Sequence, residues 1–306
     1  MSTPSTIAAK WREAKTILSG MVSKAPQFSD FEGMLASVPA PEGYFKLADW
    51  VIPGKFKTRS GTATVNGVSA FSREYTTSVK EYLIEVDKDL MERTDAISMG
   101  EFSRIVRSIG SGMMADRDER MTALLTTPGT DIFGSSFLGS HTIPDTSVTF
   151  NNILTGTGTT AAQIQADFWS AVAHFSTLSG STGYRYHGSQ AKDKKYVCMY
   201  PAALEEVMQN AFAAQLGSNG GSNVAFNKVE LRVNPSLDAT SAADWYLEVL
   251  DDNYPIIIEG VGKALEFSET QVNDSYVILN GKHLMKVEYK SGFAPGSPMH
   301  ICRINN

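Results

Sequence analysis

Glu81-Tyr-Leu-Ile-Glu-Val-Asp87 alternates, with Tyr82, Ile84 and Val86 on one face and Glu81, Leu83, Glu85 and Asp87 on the other. That is the period of a strand with one buried face and one solvated, acidic face. The period then changes. Ser98-Met-Gly-Glu101 has the spelling of a capping box. Phe102, Ile105, Val106, Ile109 and Met113 follow at three- and four-residue steps, and then Met121, Leu124 and Leu125. The spacing predicts the longest helix of the chain over 98–125. Gly110 and Gly112 each cost about 1 kcal/mol against alanine and predict a bend. The run Asp116-Arg-Asp-Glu-Arg120 reads as a solvated face or as charge pairing between chains. The stretch closes through Asp131-Ile-Phe-Gly-Ser-Ser-Phe137 to His141.

Upstream, Ile7, Trp11, Ala14, Ile17 or Leu18, and Met21 form an apolar stripe on a short helix, with no partner nearby in sequence, so it is expected to dock on a distant part of the fold or on another chain. Residues 39–80 are rich in Gly, Thr, Ser and Val. They predict two strands, Trp50 to Thr58 and Thr62 to Tyr75, around a turn at Arg59-Ser60-Gly61. A lone two-stranded ribbon is marginal in water, so this hairpin needs support from elsewhere. Lys55, Lys57 and Arg59 alternate and place three cations on one strand face, either an edge guarded by charge or an intersubunit contact.

Downstream, Thr160-Ala-Ala-Gln163 is a second capping box. It opens a helix with the stripe Ile164, Phe168, Val172, Phe175 and Leu178. Tyr196 to Tyr200 reads as a buried strand passing to Pro201, suited to a first helical position, and that helix is expected to end at Gly217. Further strands are expected at 228–233, 245–249, 255–260, 276–279 and 282–289. Asn280-Gly281 is expected as a hairpin turn between the last two.

With 306 residues, 42% hydrophobic and 20% charged, the chain has ample material for a core. A net charge of −6 argues against sequence-independent nucleic-acid binding. Cys198 and Cys302 are the only cysteines and read as buried free thiols in a reducing compartment. No apolar run approaches the roughly 18 residues of a membrane span, and the first residues do not spell a signal peptide. Gly156-Thr-Gly158-Thr-Thr-Ala161 has G-x-G-x-x-A spelling, but a weak strand precedes it and no strand-terminal acid follows. It reads as a loop into an N-cap. His141, His174, His187, His283 and His300 lack metal-ligand spacing, and no G-x-S-x-G elbow occurs. The residues mark no catalytic group, cofactor site or metal site.

The order of the opening stretch (alternating acidic strand, long helix, Leu124-Leu125, Asp-led aromatic loop, His141) resembles the major head subunit of Mu-type tailed phages. Asp244-Trp-Tyr-Leu-Glu-Val-Leu-Asp-Asp-Asn-Tyr-Pro-Ile-Ile-Ile258 and Tyr196-Val-Cys-Met-Tyr-Pro-Ala-Ala-Leu-Glu-Glu206 are similar to later segments of that family. The resemblance covers about 80–305. It departs at Lys290-Ser-Gly-Phe-Ala-Pro-Gly-Ser297, where relatives often carry Gly-x-Gly-aromatic.

The resemblance implies an α+β chain with the Hong Kong 97-type fold of tailed-phage capsid proteins. Its expected parts are an N-terminal arm (1–40), an extended loop (41–80) and a peripheral domain with a spine helix (81–159, helix about 98–125). An axial domain (160–260) and return strands (261–306) complete it. The apolar stripe and the hairpin would then find their partners on other subunits. Hexamers and pentamers of the chain would form an icosahedral virion shell around double-stranded DNA, assembled in the host cytoplasm. Its partners would be a portal and scaffolding or decoration proteins, with no membrane, cofactor or active site. Intersubunit contacts are assigned to Lys55, Lys57, Arg59, Glu85 and Asp87. Alternatives are an encapsulin-like protein nanocompartment and, from another class, a soluble α/β enzyme or ligand-binding protein.

Overall fold

The computed structural model describes residues 4–28, 31–51, 69–93, 95–143, 148–178, 196–213, 223, 225–226, 228–251, 254–270 and 274–306. Two sheets organise them. The first has the order β1-β11-β12-β4 and joins β1 (Leu35–Pro39), β11 (Ile257–Glu269), β12 (Lys282–Pro295) and β4 (Ser78–Asp87). The second has five strands in the order β7-β13-β10-β8-β9: β7 (Ile153–Thr155), β13 (Ile301–Asn305), β10 (Trp245–Val249), β8 (Tyr196–Tyr200) and β9 (Val229–Val233).

In β4 the alternation is as read. Ile84 and Val86 are buried and Leu83 is 62% exposed. The buried face meets α1 (Pro4–Phe28) and α3 (Ala96–Thr126) in one core with Ile7, Trp11, Leu18, Phe102, Val106, Met285 and Val287. The α1 stripe therefore docks on a distant part of its own chain, one of the two partners the residues left open, and not on another subunit as the resemblance implied. The partner is remote in sequence, and Met21 and Leu18 of α1 lie over Gly110 of α3. A Cβ there would lie 2.6 Å from Met21 Sδ. Ser103 Oγ donates to Glu13 (2.5 Å), and Lys15 pairs with Glu269 of β11.

Helix α3 has 31 residues, about 46 Å at the usual rise, and runs unbroken through both glycines. Its N-cap is Asp95, not Ser98. The Asp95 carboxylate accepts from Ser98 N (3.0 Å) and Ser98 Oγ (2.8 Å), so the charged acceptor takes the free donors and Ser98 becomes the third helical residue.

Helices α4 (Ala161–Thr177) and α5 (Glu205–Phe212) cover one face of the five-stranded sheet, burying Ile164, Phe168, Phe175, Met208 and Phe212 against Tyr196, Trp245 and Cys302. The Thr160–Gln163 capping box is formed. Pro201 stays extended (φ −68°, ψ 153°), and a 3-10 turn follows. Ala202 and Ala203 donate to Asp238, a cap from a distant loop. The other face of this sheet is the joint to the rest of the molecule. There Val197, Met199, Tyr246 and Ile301 pack on Phe31, Met34, Met121, Leu125 and Ile257.

Asn280-Gly281 is a helix end, not a hairpin turn. Ser275–Asn280 forms α6, capped by Asp274, and Gly281 (φ 64°, ψ 23°) is its left-handed C-cap. A positive-φ glycine suits both motifs, and the Asp274 cap decides for helix. The short strands β5 (Ser140–Thr142) and β6 (Thr149–Asn151) pair with each other, β6 falling on the weak strand expected before Gly156, and α2 (Lys88–Glu92) links β4 to α3.

Candidate functional site

Strands β2 (Tyr44–Val51) and β3 (Ser69–Thr76) pair from Tyr44↔Thr76 to Val51↔Ser69; β2 starts six residues before the strand expected at Trp50, and the rest of that strand and the Arg59-Ser60-Gly61 turn lie outside the described residues. Lys55, Lys57 and Arg59 lie outside the described residues. The base of the hairpin sits on its own chain. Gly260 and Gly292 are cross-strand partners in β11 and β12, and together they leave a bare stretch of backbone in the sheet. A Cβ on Gly260 would lie 2.1 Å from the Phe45 ring, and one on Gly292 would lie 2.3 Å from Thr76 O. Phe45 stacks on Tyr75 (centroids 5.7 Å apart), whose hydroxyl donates to Thr130 O (3.1 Å). Phe45 and Leu47 complete a small core with Ala40 and Ala294.

Beside this seat, α3 is locked to the sheet by its charged run. Arg117 pairs with Glu259 (2.5 Å), and both side chains are nearly buried. Arg120 donates to Ser291 O (3.0 Å) and lies over the Phe293 ring. Asp116 faces Lys80 at 3.8 Å. This run thus turns its arginines onto β11 and β12 of the same chain. The helical period could not show this, because the receiving residues lie more than a hundred positions away.

The outward face of β4 and β12 carries a chain of ion pairs: Glu81–Lys286 (2.7 Å), Lys286–Glu288 (3.0 Å), Glu288–Lys263 (3.6 Å) and Lys263–Glu266 (2.7 Å). Glu85 accepts from Tyr276 Oη (2.6 Å) and Lys282 (3.0 Å). The bond from Tyr276, then Lys282, holds the Glu85 carboxyl below its ordinary range. Asp87 is the exposed N-cap of α2, makes no capping bond and lies opposite Lys282. Glu85 and Asp87 therefore share one face and one lysine. Val79 and Leu83 stand exposed on the same face. Each exposed pair adds little stability, so this face is a patterned surface more than a source of stability.

His141 and both cysteines are buried. His141 Nδ1 meets Asp131 Oδ2 at 2.8 Å with both side chains fully buried, and Phe150 stacks on the ring at 4.6 Å. This dyad has no opening for a substrate and fixes the aromatic loop. Cys198 and Cys302 are buried free thiols flanking Leu247 across two strand spacings, too far apart for a disulfide. Burial pushes Cys302 up to about 12. His187 lies outside the described residues. Among the described residues no three His, Cys, Asp or Glu side chains gather as metal ligands. No described helix is long and apolar enough to cross a membrane. The Gly156–Ala161 loop is filled by its own chain: Gly158 N donates to Asn306 (3.2 Å) and Thr157 N to Asp167 (3.0 Å). Sequence reasoning missed Arg117, Arg120, Gly260 and Gly292. The one available signal was that glycines inside apolar strand patterns mark close approach of another backbone.

No family model matches the chain, and no curated protein matches it in sequence. Solved structures do match. The virus-like particle from Pyrococcus furiosus is similar over 96% of this chain and 98% of its own, at 10% identity and TM-score 0.55. The mature capsid of bacteriophage PhiM1 covers 90% and 86%, at 11% identity and TM-score 0.58. The capsid of cyanophage P-SCSP1u covers 89% and 85%, at 10% identity and TM-score 0.57. The chain has the α+β, Hong Kong 97-type fold of tailed-phage capsid proteins.

Proposed function

We propose that this chain is the major capsid protein of a tailed bacteriophage of Mu type, assembling as hexamers and pentamers into an icosahedral head around double-stranded DNA. The observation that carries this reading is the fold likeness to phage capsids over about nine-tenths of the chain. In this reading residues 1–40 are the arm, 41–80 the extended loop, 81–159 the peripheral domain, 160–260 the axial domain and 261–306 the return strands. The chain acts by assembly and has no catalytic role. Its partners are further copies of itself, a portal, and scaffolding or decoration proteins, and it resides in the virion after assembly in the host cytoplasm.

Lys55, Lys57 and Arg59 are proposed to meet acidic groups of a neighbouring subunit, with Glu85 and Asp87 offering such charges on an exposed face. Charge reversal at Lys57 is expected to weaken assembly and flatten its salt dependence. Unchanged assembly with unchanged salt dependence would remove that contact. An encapsulin-like shell around protein cargo is the second reading, favoured by the end-to-end match to the virus-like particle. Purified particles from the native source decide between them. Nuclease-protected DNA supports the head, whereas particles with a stoichiometric protein cargo and no DNA sink it.

A further inference from the structure

The joint between the two sheets contains an acid that the assembly reading does not use. Glu248 lies in β10 on the face of Tyr246, between Val197 of β8 and Ile301 of β13. It is 0% exposed, and neither carboxyl oxygen has a hydrogen-bond partner. An ionised carboxylate is strongly disfavoured in such surroundings. This face is where Phe31 and Met34, just after α1, pack with Met121 and Leu125 of α3. The group therefore lies in the contact that sets one sheet against the other.

Two strands away on the same face, opposite Met199, which faces Tyr246, lies Arg232 of β9. Its side chain is 10% exposed. It donates through Nε (2.9 Å) and Nη2 (2.6 Å) to Glu230 and through Nη1 to Glu32 O (2.6 Å). Register places Glu230 opposite Val197, which in turn faces Glu248, so the two acids flank Val197 on one face. The other polar groups there are engaged. Arg303 pairs with Asp244, Tyr246 Oη donates to Leu125 O (3.4 Å), and Thr122 Oγ1 accepts from Asn234 (2.9 Å). Val197 and Met199 make the β8 contribution apolar, and Glu32 itself is exposed.

We propose that Glu248 is a proton-operated latch: neutral, it rests in the apolar contact between the sheets; ionised, it brings an unpaired charge into that contact and loosens the joint, freeing the 31–34 segment that Arg232 otherwise ties to β9. The latch belongs to the single chain and goes beyond the assembly reading, so its failure and that of the shell are separate results. Burial raises the Glu248 carboxyl to about 8 despite the downward pull of Arg232, which places its ionisation in mild alkali.

The test is hydrogen–deuterium exchange of the unassembled full chain from pH 6 to 10, corrected for the intrinsic pH dependence of exchange. The wild type is expected to lose protection at least tenfold in residues 31–39 and in β9, with a midpoint near 8, and Glu248→Gln to show no such step. An identical step in Glu248→Gln, or none in the wild type, overturns the proposal. Infrared difference spectra of the wild type need no variant. A protonated carboxyl band present at pH 7 and lost near pH 8 is expected, and its absence at pH 7 overturns the latch.

Discussion

Gly292→Ala isolates the seat of the hairpin. The new Cβ would lie 2.3 Å from Thr76 O and 3.0 Å from Thr77 Cα. A carbon rests at about 3.3 Å from a carbonyl oxygen, so two backbones must part by about 1 Å. Neither is a flexible side-chain tip. Thr77 N donates to Gly43 O (2.9 Å) and fixes the hairpin base from behind. Overpacking of this kind costs about 1–3 kcal/mol. Releasing the hairpin instead would expose Phe45 and Leu47, at about 1.5–3 kcal/mol each. The second cost is larger, so the hairpin stays docked but displaced. Calorimetry of the unassembled chain is expected to show a fall of about 2–8 °C in Tm. The displaced hairpin is also expected to impair assembly. The control is Gly112→Ala in α3, where the new methyl meets nothing within 4 Å and alanine is expected to stabilise by about 1 kcal/mol. An unchanged Tm together with normal assembly in Gly292→Ala would refute the seat.

Leu18→Ala empties a fully buried position in the core of α1, α3 and the first sheet. It is expected to cost the isolated subunit about 2–5 kcal/mol in denaturant unfolding. No change would return α1 to the role of a free arm. His283 is fully buried with neither ring nitrogen bonded, and burial lowers its affinity for a proton. Its contribution to stability is therefore intact above the ordinary histidine value of about 6.5 and is lost as pH falls through the depressed value. His283→Leu should flatten that acid limb in a pH series of melts. Glu248 has the opposite sign. A carboxyl raised to about 8 favours the fold most below its ordinary value, and stability falls from there up to about pH 8 at about 1.4 kcal/mol per unit. Glu248→Gln should remove up to about 4–5 kcal/mol of that slope, and a slope equal to the wild type's would show that another group carries it.

Local periodicity made much of the fold legible. The strand at Glu81–Asp87, the helix stripes at Phe102–Leu125 and Ile164–Leu178, and the Thr160 cap each depend on neighbours within a few residues. What sequence reading lost was set at long range. Asp95 displaced Ser98 as cap because a carboxylate is the stronger acceptor. Asn280-Gly281 became a helix end because Asp274 caps the turn before it. The Asp116–Arg120 run looked solvated because Glu259, Ser291 and Phe293 come from distant strands. The α1 stripe looked orphaned for the same reason. At the candidate site, Glu85 and Asp87 share an exposed acidic face with Lys282, as their alternation implied. The Gly260–Gly292 seat needed the pairing of two strands before either glycine had meaning.

The account rests on this chain building a closed shell, and light scattering on a sizing column, with negative-stain micrographs of the same fractions, tests it most directly. Closed particles, or rings of five and six subunits, are the predicted result. A clean monomer at every concentration and salt would contradict it.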